Sequence, residues 1–255
     1  MANFNQKLSV VMSSHNGEKY LREAIDSVLG QTFSDFEFLI VDDGSTDLNA
    51  IILNEYEARD ERIKIITNSQ CLGLTKSLNI ALQQAQGELI ARMDDDDVCL
   101  KNRFALQVEF LNKNLEVALC GTLGLIINEK GEEMGQKNLA LGYLEIKKQL
   151  LFNNQFIHSS LMMRKVILDK EGFYDEKFKK AQDYELVLRL ARKYQVVNLP
   201  DRLIKWRKLA SSISHKNNEQ KKFAIKARWR AITKYGYPKL RGLFHIMIRI
   251  IQMYA

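Results

Sequence analysis

Three apolar runs in the first hundred residues each end in a polar cluster, and this pattern constrains the fold more than any other feature. "LSVVM" (8–12) ends at "SSHNGE", "FEFLIV" (36–41) at "DDGSTD", and "ELIARM" (88–93) at "DDDD". Such runs lack a regular polar alternation, which predicts strands buried on both faces. Between them, residues 18–30 place Tyr20, Leu21, Ile25, Val28 and Leu29 at helical spacing, and 47–59 and 74–85 read as further helices. Ser45 or Thr46 is placed to cap the second of these. "IKIIT" (63–67) adds a strand. The alternation predicts an α/β protein with a Rossmann-like, doubly wound, mostly parallel sheet and helices on both faces. Ligands of such sheets bind beyond the carboxyl ends of the strands, where all three polar clusters fall.

The remainder is less regular. "VALCGTLGLII" (117–127) predicts a strand, "EKGEE" (129–133) a turn, and "IHSSLMMRK" (157–165) a strand leading into a short helix. Residues 183–194 predict a helix, followed by a short strand "QVVNLP" (195–200) that Pro200 should end. The 255 residues suit one large domain, or one domain with an appendage. Cys71, Cys99 and Cys120 are odd in number and show no ligand spacing, so reduced thiols are expected and not disulfides or zinc. "MANFNQK" leads straight into a strand, so no signal peptide is expected, and no apolar run reaches the ~20 residues that span a bilayer. The expected location is cytoplasmic.

The acidic run Asp94–Asp97 poses a charge problem. As a solvated loop or helix start it would be unremarkable, and a helix from about residue 100 would let Asp97 meet its N-terminus. At a strand end, however, the earlier aspartates fall in the ligand crevice. Hard divalent cations such as Mn²⁺ and Mg²⁺ take oxygen ligands, commonly one or two carboxylates plus substrate phosphates. A metal–diphosphate site is therefore the favoured reading.

"SVVMSSHNGEKYLREAIDSVLGQTFSDFEFLIVDDGSTD", "GLTKSLNIALQQAQGELIARMDDDD" and "AQDYELVLRL" together resemble the family-2 inverting glycosyltransferases of GT-A fold, of the bacterial surface-polysaccharide type, over about residues 7–215. The resemblance implies a nucleotide-binding half (1–100) and an acceptor-binding half (101–215) within one domain (1–215). It places Ser13 and Asp43 against a uracil ring, His15 stacked on the base, and Asp42 in support of the loop. Glu18 falls where the family is often acidic, and equally suits a helix N-terminus. Lys76 would lie near the diphosphate, or simply be solvated on its helix. Asp96 would ligate the metal, Asp94 and Asp95 would serve the ribose or the metal's water shell, and Asp97 would cap the next helix. Asp183 would be the base that deprotonates the acceptor hydroxyl, with Glu185 as runner-up and Gln182 standing where the family often has Glu. His158 would border the acceptor site, on a strand. The aromatic–Arg pair Trp206–Arg207 is present, but Leu209 occupies the usual position of a metal-binding His, so either His215 supplies the imidazole or the metal has none.

Net charge is uneven. Residues 216–255 hold ten Lys or Arg and one acid, Glu219, a net +9 that leaves −2 for residues 1–215. This tail predicts basic amphipathic helices, with Phe223, Ala227 and Ala231 in one stripe. They would suit an anionic inner-membrane surface, or else dock on the catalytic domain or a second subunit, which permits a homodimer. Nucleic acid is not expected, since the body has no base-reading motif. The implied reaction moves a sugar from a UDP-sugar to a glycan or lipid-linked glycan such as lipopolysaccharide, capsule or O-antigen. The rivals are a sugar nucleotidyltransferase, which would want more glycines than Gly17 after the first strand, and a non-catalytic binding protein on a degenerate transferase fold.

Overall fold

The structure, a computed structural model, describes residues 8–209 and 218–254. Its first half follows the predicted alternation: β1 (Leu8–Ser14), α1 (Leu21–Leu29), β2 (Phe36–Asp42), α2 (Asn49–Glu57), β3 (Ile63–Thr67), α3 (Leu74–Gln84) and β4 (Leu89–Arg92). Then come β5 (Val98–Cys99), α4 (Arg103–Lys113), β6 (Val117–Ile127), β7 (Glu133–Lys137), α5 (Tyr143–Gln149), a 3₁₀ turn (His158–Ser160) and β8 (Met162–Arg164). The chain closes with α6 (Lys165–Glu171), α7 (Gln182–Ala191), β9 (Gln195–Arg207), α8 (Asn218–Lys234) and α9 (Lys239–Tyr254).

These strands build one nine-stranded sheet of order β3-β2-β1-β4-β8-β6-β9-β5, with β7 added beside β6. β3, β2, β1 and β4 are mutually parallel, and so are β6 and β9. β8 joins the two parallel groups by pairing antiparallel with both β4 and β6. Helices cover both faces. Val11, Leu39, Val41 and Ile90 pack on one side with Leu78, Leu82 and the apolar residues of α7. Val10, Met12, Phe38, Ile40 and Ala91 pack on the other with Ile25, Val28, Ile52, Phe104 and Val108. The alternation of side chains along each strand explains how one run feeds two cores.

Five expectations change. Neither Ser45 nor Thr46 caps α2, whose N-cap is Leu48 with no side-chain cap bond. Pro200 does not end its strand: β9 runs on to Arg207, and the register jumps from Thr122–Leu199 to Leu123–Arg202. Pro200 and Asp201 therefore form a bulge, where a residue without N–H costs no ladder bond. His158 lies in the 3₁₀ turn before β8 and not on a strand. Glu18 precedes α1, which begins at Leu21. Asp97 caps no helix, because α4 begins at Arg103 behind the short strand β5.

Candidate active site

Because β1, β2 and β4 run parallel as neighbours, their carboxyl ends deliver "SSHNGE", "DDGSTD" and "DDDD" to one edge of the sheet. The loops are tied to each other by polar side chains. Ser14 Oγ donates to Asp95 Oδ2 at 2.6 Å, and lies 2.9 Å from Asn49 Oδ1. Asn49 Nδ2 donates in turn to Asp42 Oδ1 at 3.2 Å, which also receives the Ser45 N–H. Gly17 makes this closure feasible, since a Cβ there would lie 2.4 Å from Asp95 Oδ2. Asp95 is thus held against the first loop. Burial raises its pKa to about 6, with the Ser14 hydroxyl pulling the other way.

Asp43 directly follows β2 and is only 2% exposed. Its carboxylate accepts the Leu72 and Gly73 N–H groups, both at 2.8 Å, and Asn68 Nδ2 at 2.9 Å. Burial pushes its pKa up, but these donors outweigh it and the net shift is downward. Ser13 is buried at the end of β1 beside Val41. His15 is exposed, with Nδ1 2.8 Å from the Asp43 carbonyl oxygen. A carbonyl can only accept, so Nδ1 carries the proton. Glu18 accepts the Leu48 N–H at 2.9 Å, at the start of α2 and not of its own helix. Lys76 stands exposed on α3.

The other three aspartates differ sharply in their surroundings. Asp97 is buried and accepts the Arg207 N–H at 2.7 Å and the Ser159 hydroxyl. Arg207 is itself a staple: Nε donates to the Asp96 carbonyl at 2.8 Å and Nη2 to Glu23 at 2.5 Å. Asp94 pairs with Nη1 of Arg92, whose side chain is fully buried. No guanidinium nitrogen of Arg92 makes a well-aligned hydrogen bond among the described residues. Asp96 alone has a carboxylate that no hydrogen bond or ion pair reaches among the described residues. Burial, then the charges of Asp97, Asp94 and Asp95, push its pKa up.

Asp94, Asp96 and Asp97 can each turn one carboxylate oxygen to within 4.8 Å of the others. An all-oxygen donor set with an uncompensated carboxylate at its centre fits a hard divalent cation such as Mn²⁺ or Mg²⁺. His215 lies outside the described residues.

Asp183 sits in the first turn of α7, and Asn154 Nδ2 donates to its Oδ2 at 2.7 Å. Burial raises its pKa, the Tyr184 N–H and Arg92 lower it, and Asp94 raises it. His158 Nε2 is 2.8 Å from the Tyr174 hydroxyl, and burial with Arg92 nearby holds this imidazole well below its usual pKa, hence neutral. Glu185 is fully buried and paired to Arg189, so it reads as structural. The sequence reading overlooked Arg92, Ser14, Asn49 and Asn154. Only Arg92 carried a usable signal, a cation two residues before the acids on a strand otherwise wholly apolar.

The family model of glycosyl transferase family 2 matches residues 9–173. The chain belongs to this family. Among similar proteins of known name, the family-2 chain is 36% identical over 184 residues to the Escherichia coli O-antigen biosynthesis glycosyltransferase WbnJ, covering 72% of this chain and 71% of that one. It is 27% identical over 248 residues to the E. coli UDP-Glc:alpha-D-GlcNAc-diphosphoundecaprenol beta-1,3-glucosyltransferase WfgD, covering 96% and 92%. In fold, this glycosyltransferase superimposes on S. aureus TarS 1-349 in complex with UDP-GlcNAc with a TM-score of 0.73 at 21% identity, covering 96% and 71%. The mannosyltransferase PcManGT of Pyrobaculum calidifontis, in complex with GDP-Man and Mn2+, matches with a TM-score of 0.67 at 15% identity, covering 89% and 64%.

Proposed function

We propose that this protein is an inverting glycosyltransferase that moves one sugar from a UDP-sugar to a growing, lipid-linked surface glycan. The observation that carries the reading is the gathering of the Asp94, Asp96 and Asp97 carboxylates within 4.8 Å of one another at the strand ends, in a chain that matches the family-2 model. The name of WbnJ supports a surface glycan of the O-antigen kind, and that of WfgD a UDP-linked donor with a diphosphoundecaprenol-linked acceptor.

Asp96, with Asp94 beside it, would hold the cation, and Asp95 would face the ribose. A bound divalent cation supplies charge neutralisation at the departing diphosphate. Asp43 and Ser13 would meet the uracil, with His15 stacked on it, and Lys76 would add positive charge near the phosphates. On the opposite side Asp183 would take the proton of the acceptor hydroxyl. That oxygen then bonds to the anomeric carbon as the carbon–oxygen bond to the diphosphate breaks, its electron pair leaving with UDP. Asn154 orients the Asp183 carboxylate, and neutral His158 can hydrogen-bond the acceptor without competing for the proton.

Release of the nucleoside diphosphate should be screened with UDP-, GDP- and dTDP-sugars and Mn²⁺ or Mg²⁺. Turnover of a UDP-sugar is expected. Turnover of GDP-mannose alone would overturn the uracil assignment, and no turnover with any donor would favour the binding-protein alternative.

A further inference from the structure

Helix α9 has two apolar faces, and the body of the protein covers one. On that covered side Gly242 meets Ile232 of α8 so closely that a Cβ at 242 would lie 2.1 Å from Ile232 Cγ2. Ile246, one turn on, is 7% exposed and joins the core that includes Ala227, Ala231 and Ile232 of α8. Ile232 is β-branched and stiff, so this contact fixes the rotation of α9 about its own axis. The remaining apolar positions are thereby turned outward. Leu240, Leu243, Phe244 and Met247 fall at the i, i+3, i+4, i+7 spacing of one helical stripe, and are 87%, 45%, 56% and 54% exposed. Phe152, 47% exposed, lies edge-on to His245 with ring centroids 5.4 Å apart and brings another apolar side chain near α9.

We propose that this face seats on an anionic lipid bilayer, with α9 lying in the plane of the interface. The choice of occupant follows from charge. Residues 216–255 carry a net +9, and Lys221, Lys222, Lys234 and Lys239 are exposed on α8 and α9. A second copy would bring the same exposed lysines against themselves. A nucleic acid would leave the apolar stripe in water. An anionic headgroup layer over acyl chains satisfies both stripe and charge. No helix among the described residues is long and apolar enough to cross a membrane, so the contact is one of lying on it. The docked and exposed faces coexist, so the two expectations for this tail are not alternatives.

Membrane contact through α9 involves neither donor, metal nor base. The full chain is mixed with vesicles of phosphatidylcholine alone, or of phosphatidylcholine containing phosphatidylglycerol, and bound protein is measured by flotation. Binding to the phosphatidylglycerol vesicles that weakens as salt rises is expected. Leu243→Glu with Phe244→Glu should lower the partition coefficient on the order of a hundredfold, with thermal melting and solution turnover unchanged. Lys221→Glu, Lys222→Glu and Lys234→Glu combined should lower it by a similar factor without touching the stripe. Failure of the wild type to float, or equal binding to both vesicle types, would overturn the proposal. So would a wild-type dimer that ignores vesicles and becomes monomeric in the Leu243/Phe244 variant, which would assign the face to a second copy.

Discussion

The guanidinium of Arg92 lies fully buried behind the acidic run and pairs through Nη1 with Asp94 Oδ1. It answers part of the charge problem the sequence poses, because one of the four carboxylates has a built-in partner. Asp94 and the nearby Tyr174 and Asp97 hold the pKa of Arg92 above its ordinary value despite burial. Arg92→Met should lower the unfolding free energy by about 1–3 kcal/mol, because the part-exposed Asp94 carboxylate loses its partner. Urea unfolding measures this, and an unchanged midpoint would show that the pair contributes nothing.

Asp183→Asn should reduce kcat by roughly 10²–10⁴-fold while leaving metal-dependent UDP binding intact. Its raised pKa also sets a pH limit. A base must be deprotonated, so kcat should fall as pH drops through a value above the ordinary carboxylate pKa of about 3.9. Arg92 lowers that pKa, so Arg92→Met should move the acid limb to higher pH. A pH–rate profile reads both effects, and near-wild-type turnover of Asp183→Asn would remove it as base.

Asp96→Ala and Asp97→Ala should fail in different ways. Removing the unengaged Asp96 carboxylate should abolish metal-dependent UDP binding in calorimetric titration with little loss of stability. Removing Asp97 strands the Arg207 N–H and the Ser159 hydroxyl, and should cost about 1–3 kcal/mol of folding free energy. Equal metal affinity in wild type and Asp96→Ala would sink the ligand assignment.

Asp43 should make stability acid-sensitive. Its folded-state pKa lies below the unfolded value, so its contribution is present above about pH 4 and is lost as pH falls through the folded pKa. Asp43→Asn presents an NH₂ to one of the N–H donors of Leu72 and Gly73, and should cost about 1–3 kcal/mol at neutral pH. The gap between variant and wild type should narrow in acid, as chemical denaturation across pH would show.

The sequence by itself determined the β-α alternation of the first hundred residues, because buried parallel strands need apolar residues along nearly their whole length and the intervening helices carry a 3.6-residue stripe. It also located the three polar clusters and the helix bearing Asp183, since a strand's end can be read from where its apolar run stops. Only the tertiary structure divided the four aspartates by role. Arg92 stands two residues before Asp94, but Ser14, Ser159 and Arg207 lie 62 to 110 residues from their partners, on strands and loops that adjoin only in the folded sheet. The bulge at Pro200 was invisible for the same reason, because a proline's cost in a strand depends on whether a neighbour needs its N–H. So was the rotation of α9, which the contact between Gly242 and Ile232 decides and no helical periodicity can.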